Sequence, residues 1–239
     1  MVLTTVITYL TERSARIEAQ DNQAWTLIML AEGKSGDGGR KSAIQRLYKD
    51  NSDLTSLPLR NAAIQYLDLT NANITNSDFR NANIEGITLN GAQVNRSNFA
   101  ESTMDVMNFN NAEVTRANFY KAIISDSWFK GTDLYKTDFR DAIFFNLDAG
   151  SFDGADLTEV NFEGARFLGD LVDWPSTEEL AELRKRKPVM NPVFPESTIL
   201  CGTTMPDGMH VDRDCARANR DRLSKPNVPR IIVTPAKPT

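Results

Sequence analysis

The sequence predicts a repeat solenoid, a rod of stacked four-sided coils with about twenty residues to the coil. Three observations predict it. From Leu59 to Phe144 a large apolar residue returns at every fifth position, as in Leu59, Ile64, Leu69, Ile74 and Phe79. Two positions before most of these stands a small residue, as in Ala62, Ala72, Ala82, Ala92, Ala112 and Ala122. Taken at every fourth beat, the large residues sort by type. Leu59, Phe79, Phe99, Phe119 and Phe139 form one column, and Ile64, Ile84, Met104, Ile124 and Phe144 another. A helix repeats at about 3.6 residues and a strand at 2, so neither produces a beat of five. Such sorting follows if these side chains stack, one coil upon the next.

Residues 1–55 read as an N-terminal helical cap. Leu3, Val6, Ile7, Leu10 and Ile17 lie at helical spacing, and Ala24, Trp25, Ile28 and Met29 continue the pattern after the polar AQDNQ stretch. GKSGDGG (33–39) is a loop, followed by a short helix with Ala43, Ile44, Leu47 and Tyr48 on one face. These helices are expected to cover the open end of the rod, whose bare edge would invite association. Gly33-Lys34-Ser35 is not a phosphate loop, because the required earlier glycine is Ile28.

Residues 56–169 form the rod. Apolar centres continue after Phe144 through Leu147, Phe152, Leu157, Phe162 and Phe167, which gives about five to six coils and a length of roughly 25–30 Å. The beat slips once, and Phe145–Gly150 must absorb the slip as a bulge or loop, read most simply as a tolerated deletion. Residues 170–239 make a C-terminal capping helix and an extended proline-rich tail. WPSTEELAELRKRK (174–187) carries a capping box, Ser176 with Glu179, and ends in basic residues. Leu180 and Leu183 are expected to pack on the second open end. Prolines from Pro188 to Pro238 then argue against regular structure.

The motifs NANIT (71–75), SDFRN (77–81), RANFY (116–120), KTDFR (136–140) and GADLT (154–158) resemble the pentapeptide-repeat family, A-(N/D)-(L/F)-x-x. The lead-in AEGKSGDGGRKSAIQRL and the phrase TTMPDGMH (203–210) resemble its cyanobacterial members. The resemblance covers about half of the chain. It implies an all-β fold, a right-handed quadrilateral β-helix with short bridges for sides and β-turns for corners, here with helical caps at both ends.

Composition narrows the function. The net charge is −5, and the rod segment 57–168 holds nine basic and fifteen acidic residues. There is no basic patch of the kind nucleic acid needs, no apolar run of membrane-spanning length and no secretory leader pattern. Cofactors and metals are not expected, since the single histidine, His210, sits among Asp207, Asp212 and Asp214 in what reads as a solvated turn. Cys201 and Cys215 are either a disulfide that staples the tail or two reduced thiols. The first places the protein in a thylakoid lumen or periplasm, the second in the cytoplasm. No catalytic constellation appears, so the chain is read as a non-enzyme. Asn and Asp before the centres are turn formers.

One surface stands out. Ile123 and Ile143 occupy outward positions that should be polar, one coil apart, with Phe145 and Trp128 on the same or the adjacent side. Ile123, Trp128, Ile143 and Phe145 are therefore the candidate contact patch, covered either by the tail segment Val189–Met209 or by a partner. The reading is a rigid interaction module, monomer or weak dimer, for an unidentified protein partner. The alternative is a nucleic-acid mimic acting on a type II topoisomerase (DNA gyrase), which the resemblance admits because some family members do this with a markedly acidic face.

Overall fold

The computed structural model describes residues 2–147, 149–169, 175–185 and 192–223. Its centre is a right-handed four-sided β-helix. On one side six strands stack in parallel order: β1 (Ala63–Gln65), β2 (Asn83–Glu85), β3 (Thr103–Asp105), β4 (Ile123–Ser125), β5 (Ile143–Phe145) and β6 (Arg166–Phe167). Their register sets Ile64 against Ile84, Ile84 against Met104 and Ile124 against Phe144. The other three sides are joined by single bridges such as Asp68 to Thr88, Asn73 to Gln93 and Asp78 to Asn98.

Each place in the beat has a physical reason. Centres point to the axis: Phe99, Phe119 and Phe139 are fully buried, with rings stacked at 4.8 and 4.7 Å. That distance is the spacing of neighbouring strands, so the backbone ladder and the ring column share one repeat. The small residue two before the centre also points inward. At three of the places where it is Ser or Thr, its hydroxyl donates to a carbonyl of the preceding coil: Ser97 to Ile74 at 2.9 Å, Thr132 to Phe109 at 2.7 Å and Thr137 to Val114 at 2.8 Å; Ser102 and Ser127 donate within their own coil, to Phe99 C=O and Ser125 C=O. The Asn or Asp before the centre accepts the amide two residues on, as Asn98 does from Ala100 (3.0 Å) and Asn118 from Tyr120 (2.9 Å). The second residue after the centre turns the corner in the left-handed region, with Asn71 at φ 60° and Arg116 at φ 58°. Ala72 N–H closes such a turn onto Leu69 C=O at 3.0 Å, the pattern of a type II turn. At Gly86 a Cβ would lie 2.7 Å from the exposed Tyr66 ring, so a side chain there would have to push that ring aside.

The slip is an insertion and not a deletion. Ile143 pairs with Arg166 and Asp133 with Asp156, three residues beyond the regular register. The extra residues coil into a 3-10 turn at Ala149–Phe152. Phe152, stacked on Phe129 at 5.1 Å, takes the centre, while Leu147 is only partly buried beside the core.

The ends differ from expectation. The first helix, α1 (Val2–Leu30), runs unbroken through AQDNQ, but among its described side chains only Ala24 and Ile28 are buried, with Ala31 just beyond its end. Val6, Ile7 and Leu10 are 47, 54 and 53 % exposed. A helix of 29 residues is about 43 Å long, more than one end of the rod can cover. The end is closed chiefly by α2 (Arg40–Lys49), whose Ala43, Ile44 and Leu47 join the core with Leu54 and Leu57. At the other end, α3 (Thr177–Lys185) begins with the reciprocal bonds of a capping box, Ser176 N–H to Glu179 (2.8 Å) and Glu179 N–H to Ser176 Oγ (3.2 Å). Leu180 and Leu183 do not reach the end of the rod. They lie against its side.

What closes that end is the segment taken for an irregular tail. Ile199 bridges Asp156 and Thr204 bridges Asn161, so Leu200 and Met205 extend two inner columns beyond Leu157 and Phe162. Thr198 and Thr203, two before these centres, donate to Phe152 C=O and Leu157 C=O at 2.7 and 2.8 Å. Phe194 adds its ring to Phe152, Phe162 and Phe167 at 5.5–6.1 Å. The solenoid therefore does not stop at residue 169. It is interrupted and then resumes for half a coil. The prolines from Pro226 onward, and Asp170, Trp174, Pro188 and Val189, lie outside the described residues.

Candidate interaction surfaces

The rod groups its basic residues, although the fourth side also holds Asp78, Glu101, Asp138 and Asp141. From coil to coil the residue at the corner after the third side is Ser56, Asn76, Arg96, Arg116, Lys136 and Glu159, and their amides bond up the stack, Arg96 N–H to Thr115 C=O and Arg116 N–H to Tyr135 C=O. Arg96, Arg116 and Lys136 thus form a column with about 4.8 Å between coils. Across the fourth side lie Arg60, Arg80, Lys121 and Arg140. Only Lys130 and Arg166 among the rod's basic residues fall elsewhere. Some of these cations are neutralised locally: Arg80 pairs with Asp78 at 2.6 Å, Arg140 with Asp138 at 2.7 Å and Lys136 with Glu159 at 3.1 Å. The hydrogen bond from Arg80 holds the Asp78 carboxyl below its ordinary range, and Asp78 in turn raises Arg80. Arg140 also lies over the Tyr120 ring, 5.8 Å from its centroid. Arg96 and Arg116 are exposed and project from corners where the fold asks only for a residue that tolerates positive φ.

The apolar residues Ile123, Ile143 and Phe145 do come together, through the pairing of β4 with β5. They are not open to solvent: Ile143 is fully buried, and Phe145 and Ile123 are 2 and 8 % exposed. The cover is Leu180 of α3, with Leu168 and Leu183 at its edge, and not the described part (192–209) of the expected segment Val189–Met209. Trp128 sits on the neighbouring side, 43 % exposed and outside this cluster. The reason is reach: α3 follows directly on the last strand side, whereas 198–205 is bound into the end of the rod.

Cys201 and Cys215 are joined as a disulfide. It ties the final half coil to α4 (Cys215–Leu223), whose Ala218 packs on Ile199 and Cys201. TTMPDGMH is a hairpin, β7 (Thr203–Thr204) against β8 (His210–Val211), with Met205 N–H bonded to Met209 C=O at 2.8 Å. His210 Nδ1 meets Thr204 Oγ1 at 3.0 Å, Asp207 caps Met209 N–H, and Asp212 accepts Gly202 N–H. These acids are committed to turns, and no group of three metal-type ligands lies together among the described residues. No helix there is long and apolar enough to cross a membrane.

The glycine-rich loop binds a cation of its own chain. The Arg40 guanidinium, fully buried, donates to Gly36 C=O (2.8 Å), Lys34 C=O (2.7 Å) and Ala31 C=O. A phosphate loop turns amides inward; this loop turns carbonyls inward. Gly36 C=O also receives Ala63 N–H at 3.2 Å, which satisfies one amide on the first strand's free edge. Sequence reasoning missed Arg40, Phe194, Leu200 and Met205. The last two were findable, since Thr198-Ile199-Leu200 and Thr203-Thr204-Met205 repeat the beat.

The family of pentapeptide repeats matches residues 52–91 and 97–135, in eight copies. Among solved structures, HetL of the cyanobacterium Nostoc, a pentapeptide repeat protein involved in heterocyst differentiation regulation, is similar at 17 % identity, over 71 % of this chain and 98 % of that one, with a TM-score of 0.31. QnrB1, a plasmid-mediated fluoroquinolone resistance protein, is similar at 12 % identity with a TM-score of 0.33; the match spans 46 % of this chain and 65 % of that one, just under two thirds of its length. A pentapeptide repeat protein of the Arabidopsis thaliana thylakoid lumen is similar at 19 % identity, over 47 % of this chain and 71 % of that one, with a TM-score of 0.22. A search among curated proteins finds no matching sequence.

Proposed function

We propose that this chain, a pentapeptide-repeat protein, is a non-catalytic interaction module that presents the Arg96–Arg116 corner of a rigid rod to an acidic surface of a protein partner. The stacking of these two cations carries the reading. Arg96 and Arg116 stand one coil apart, exposed, at corners the fold would fill equally well with Asn or Gly. Stacking like charges there costs repulsion, and complementary charge on a partner offsets it. The Cys201–Cys215 bond supports a compartment that keeps disulfides oxidised, such as a thylakoid lumen or periplasm, over the cytoplasm. Affinity capture from the native cell tests the module. The wild-type rod is expected to retain a partner that the Arg96→Glu/Arg116→Glu variant loses at moderate salt. An identical set of proteins on both baits overturns the reading.

A second reading is the nucleic-acid mimic directed at a type II topoisomerase. Acids on the remaining sides favour it, among them Glu85, Asp105, Glu113 and Asp133. It stands second because these lie on different sides of the rod and make no continuous acidic face. Inhibition in a gyrase supercoiling assay would put it first.

A further inference from the structure

The outward column of the strand side runs Ala63, Asn83, Thr103, Ile123, Ile143 in strict register. Nothing in the fold requires the change from polar to aliphatic at the last two places, because the axis is already filled by Ile124 and Phe144. Phe145, on the same strand but on the next outward position, is likewise removed from the axial core and belongs to this second cluster. The solenoid has thus been given a separate apolar ridge on its flank.

The occupant of that ridge states what chemistry fits it. α3 is a nine-residue helix that lays Leu180 and Leu183, three residues apart, onto Ile123, Ile143 and Phe145. Its first turn is acidic, Glu178 and Glu179, and Lys185 lies in its last. The polar bonds of its described residues are internal: the Ser176–Glu179 capping pair and the Lys185–Glu182 ion pair at 2.6 Å. Desolvation and packing of two leucines are what hold it to the rod. The last half coil is held quite differently, by a ladder of backbone hydrogen bonds and a disulfide. A helix of nine residues has little stability of its own in water, so its order depends on the ridge.

We propose that the Ile123–Ile143–Phe145 ridge is a docking site for an amphipathic helix, occupied in this structure by α3 as a built-in competitor. The partner it fits carries leucines at i and i+3 on one face, the helix-in-groove mode of recognition. Because α3 is tethered to the same chain, it competes at high effective concentration, and a free helix must be the better fit to displace it. The site is therefore closed by default and opens to a helix that out-competes α3. The proposal rests on the interaction-module reading and adds a second surface to it, one that is distinct from the Arg96–Arg116 corner.

The test uses the full chain and a fluorescein-labelled synthetic peptide of residues 175–185 in a fluorescence anisotropy titration. The Leu180→Asp/Leu183→Asp variant, whose strap no longer seats, is expected to bind the peptide at least ten-fold more tightly than the wild type. Adding Ile143→Asp to that variant is expected to return binding to the wild-type level. Equal binding by wild type and double variant, or undiminished binding after Ile143→Asp, overturns the proposal. Should the double variant fail to fold, the wild type carries the test: a large excess of unlabelled peptide is expected to speed hydrogen exchange of the chain's own Leu180 amide, bonded to Ser176 C=O, several-fold, and an unchanged rate overturns it. The assay contains only the purified chain and a peptide. Its failure leaves the Arg96–Arg116 corner and the capture experiment untouched, and a failed capture leaves the peptide result standing.

Discussion

Replacing Leu200 by Ala tests whether residues 198–205 truly complete the solenoid. Leu200 is 5 % exposed, stacked beyond Leu157 in an inner column, and belongs to the main core. Truncating a buried leucine costs about 2–5 kcal/mol, and an end position that can partly collapse belongs at the low end, about 2–3 kcal/mol. In a repeat protein such a loss is felt locally, since each coil touches only its neighbours. The readout is therefore amide exchange and not a global melt. Four amides of the preceding coil donate into the half coil: Leu157 to Ile199 (2.9 Å), Glu159 to Cys201 (2.7 Å), Phe162 to Thr204 (2.8 Å) and Gly164 to Pro206 (3.0 Å). If these bonds break only when the half coil lifts away, their exchange should speed about 30- to 150-fold in the variant under conditions where opening is at equilibrium. Amides deep in the rod, such as Phe99 N–H on Asn118 C=O, should not change. An extended proline-rich tail would give no acceleration at the four amides. That result would refute the resumed solenoid.

Three further outcomes are expected. Phe119 stacks between Phe99 and Phe139 and is fully buried, so Phe119→Ala should cost about 3–5 kcal/mol and Phe119→Leu only about 1–2 kcal/mol, read by denaturant unfolding; a Phe119→Leu variant as stable as the wild type would mean that ring stacking contributes nothing. Val106 is a β-branched residue at φ 54°, and Val106→Asn should stabilise the rod by about 1 kcal/mol, seen as a higher Tm. Asp153 accepts the Ser197 hydroxyl and pairs with Lys130 at 3.2 Å, and these two hold its carboxyl below the ordinary range, Ser197 first. A depressed folded-state pKa gives stabilisation that is fully present above the unfolded value and is lost as pH falls through the folded one. The link between the rod and the segment 192–199 should therefore loosen below about pH 4, with faster pepsin cleavage there than in Asp153-independent parts of the rod; a pH-independent pattern would remove Asp153 from that role.

The rod was legible because its signal is redundant. Eighteen successive centres from Leu59 to Phe144 state the period, and the phenylalanine column states the number of sides. The roles of Ser and Thr before centres, and of Asn and Asp in turns, follow from the same beat. The covering of the apolar ridge was half legible. Ile123, Ile143 and Phe145 could be picked out because they break a polar column, but their cover could not. Leu180 and Leu183 form a stripe that says a helix must pack, and period alone does not say on what. The same holds for α1, where Val6 and Leu10 continue a stripe that, among its described side chains, only Ala24 and Ile28 bury. The free cations Arg96 and Arg116 were visible as residues, but not as a column, until the corner positions were aligned coil by coil.

The sequence by itself determined the coil: its four sides, its inward and outward faces and its stacked columns. Each of these depends on neighbours five or twenty residues away, and the beat records both distances. The tertiary structure decided what the ends and flanks do. A segment beginning near Phe194 closes the rod because a half coil offers backbone groups as well as side chains to the open edge, which a helix cannot. Relieved of that task, α3 falls to the nearest unsatisfied apolar surface, the ridge of β4 and β5. That competition among distant segments for two exposed surfaces has no period, so no pattern in the chain announces its outcome.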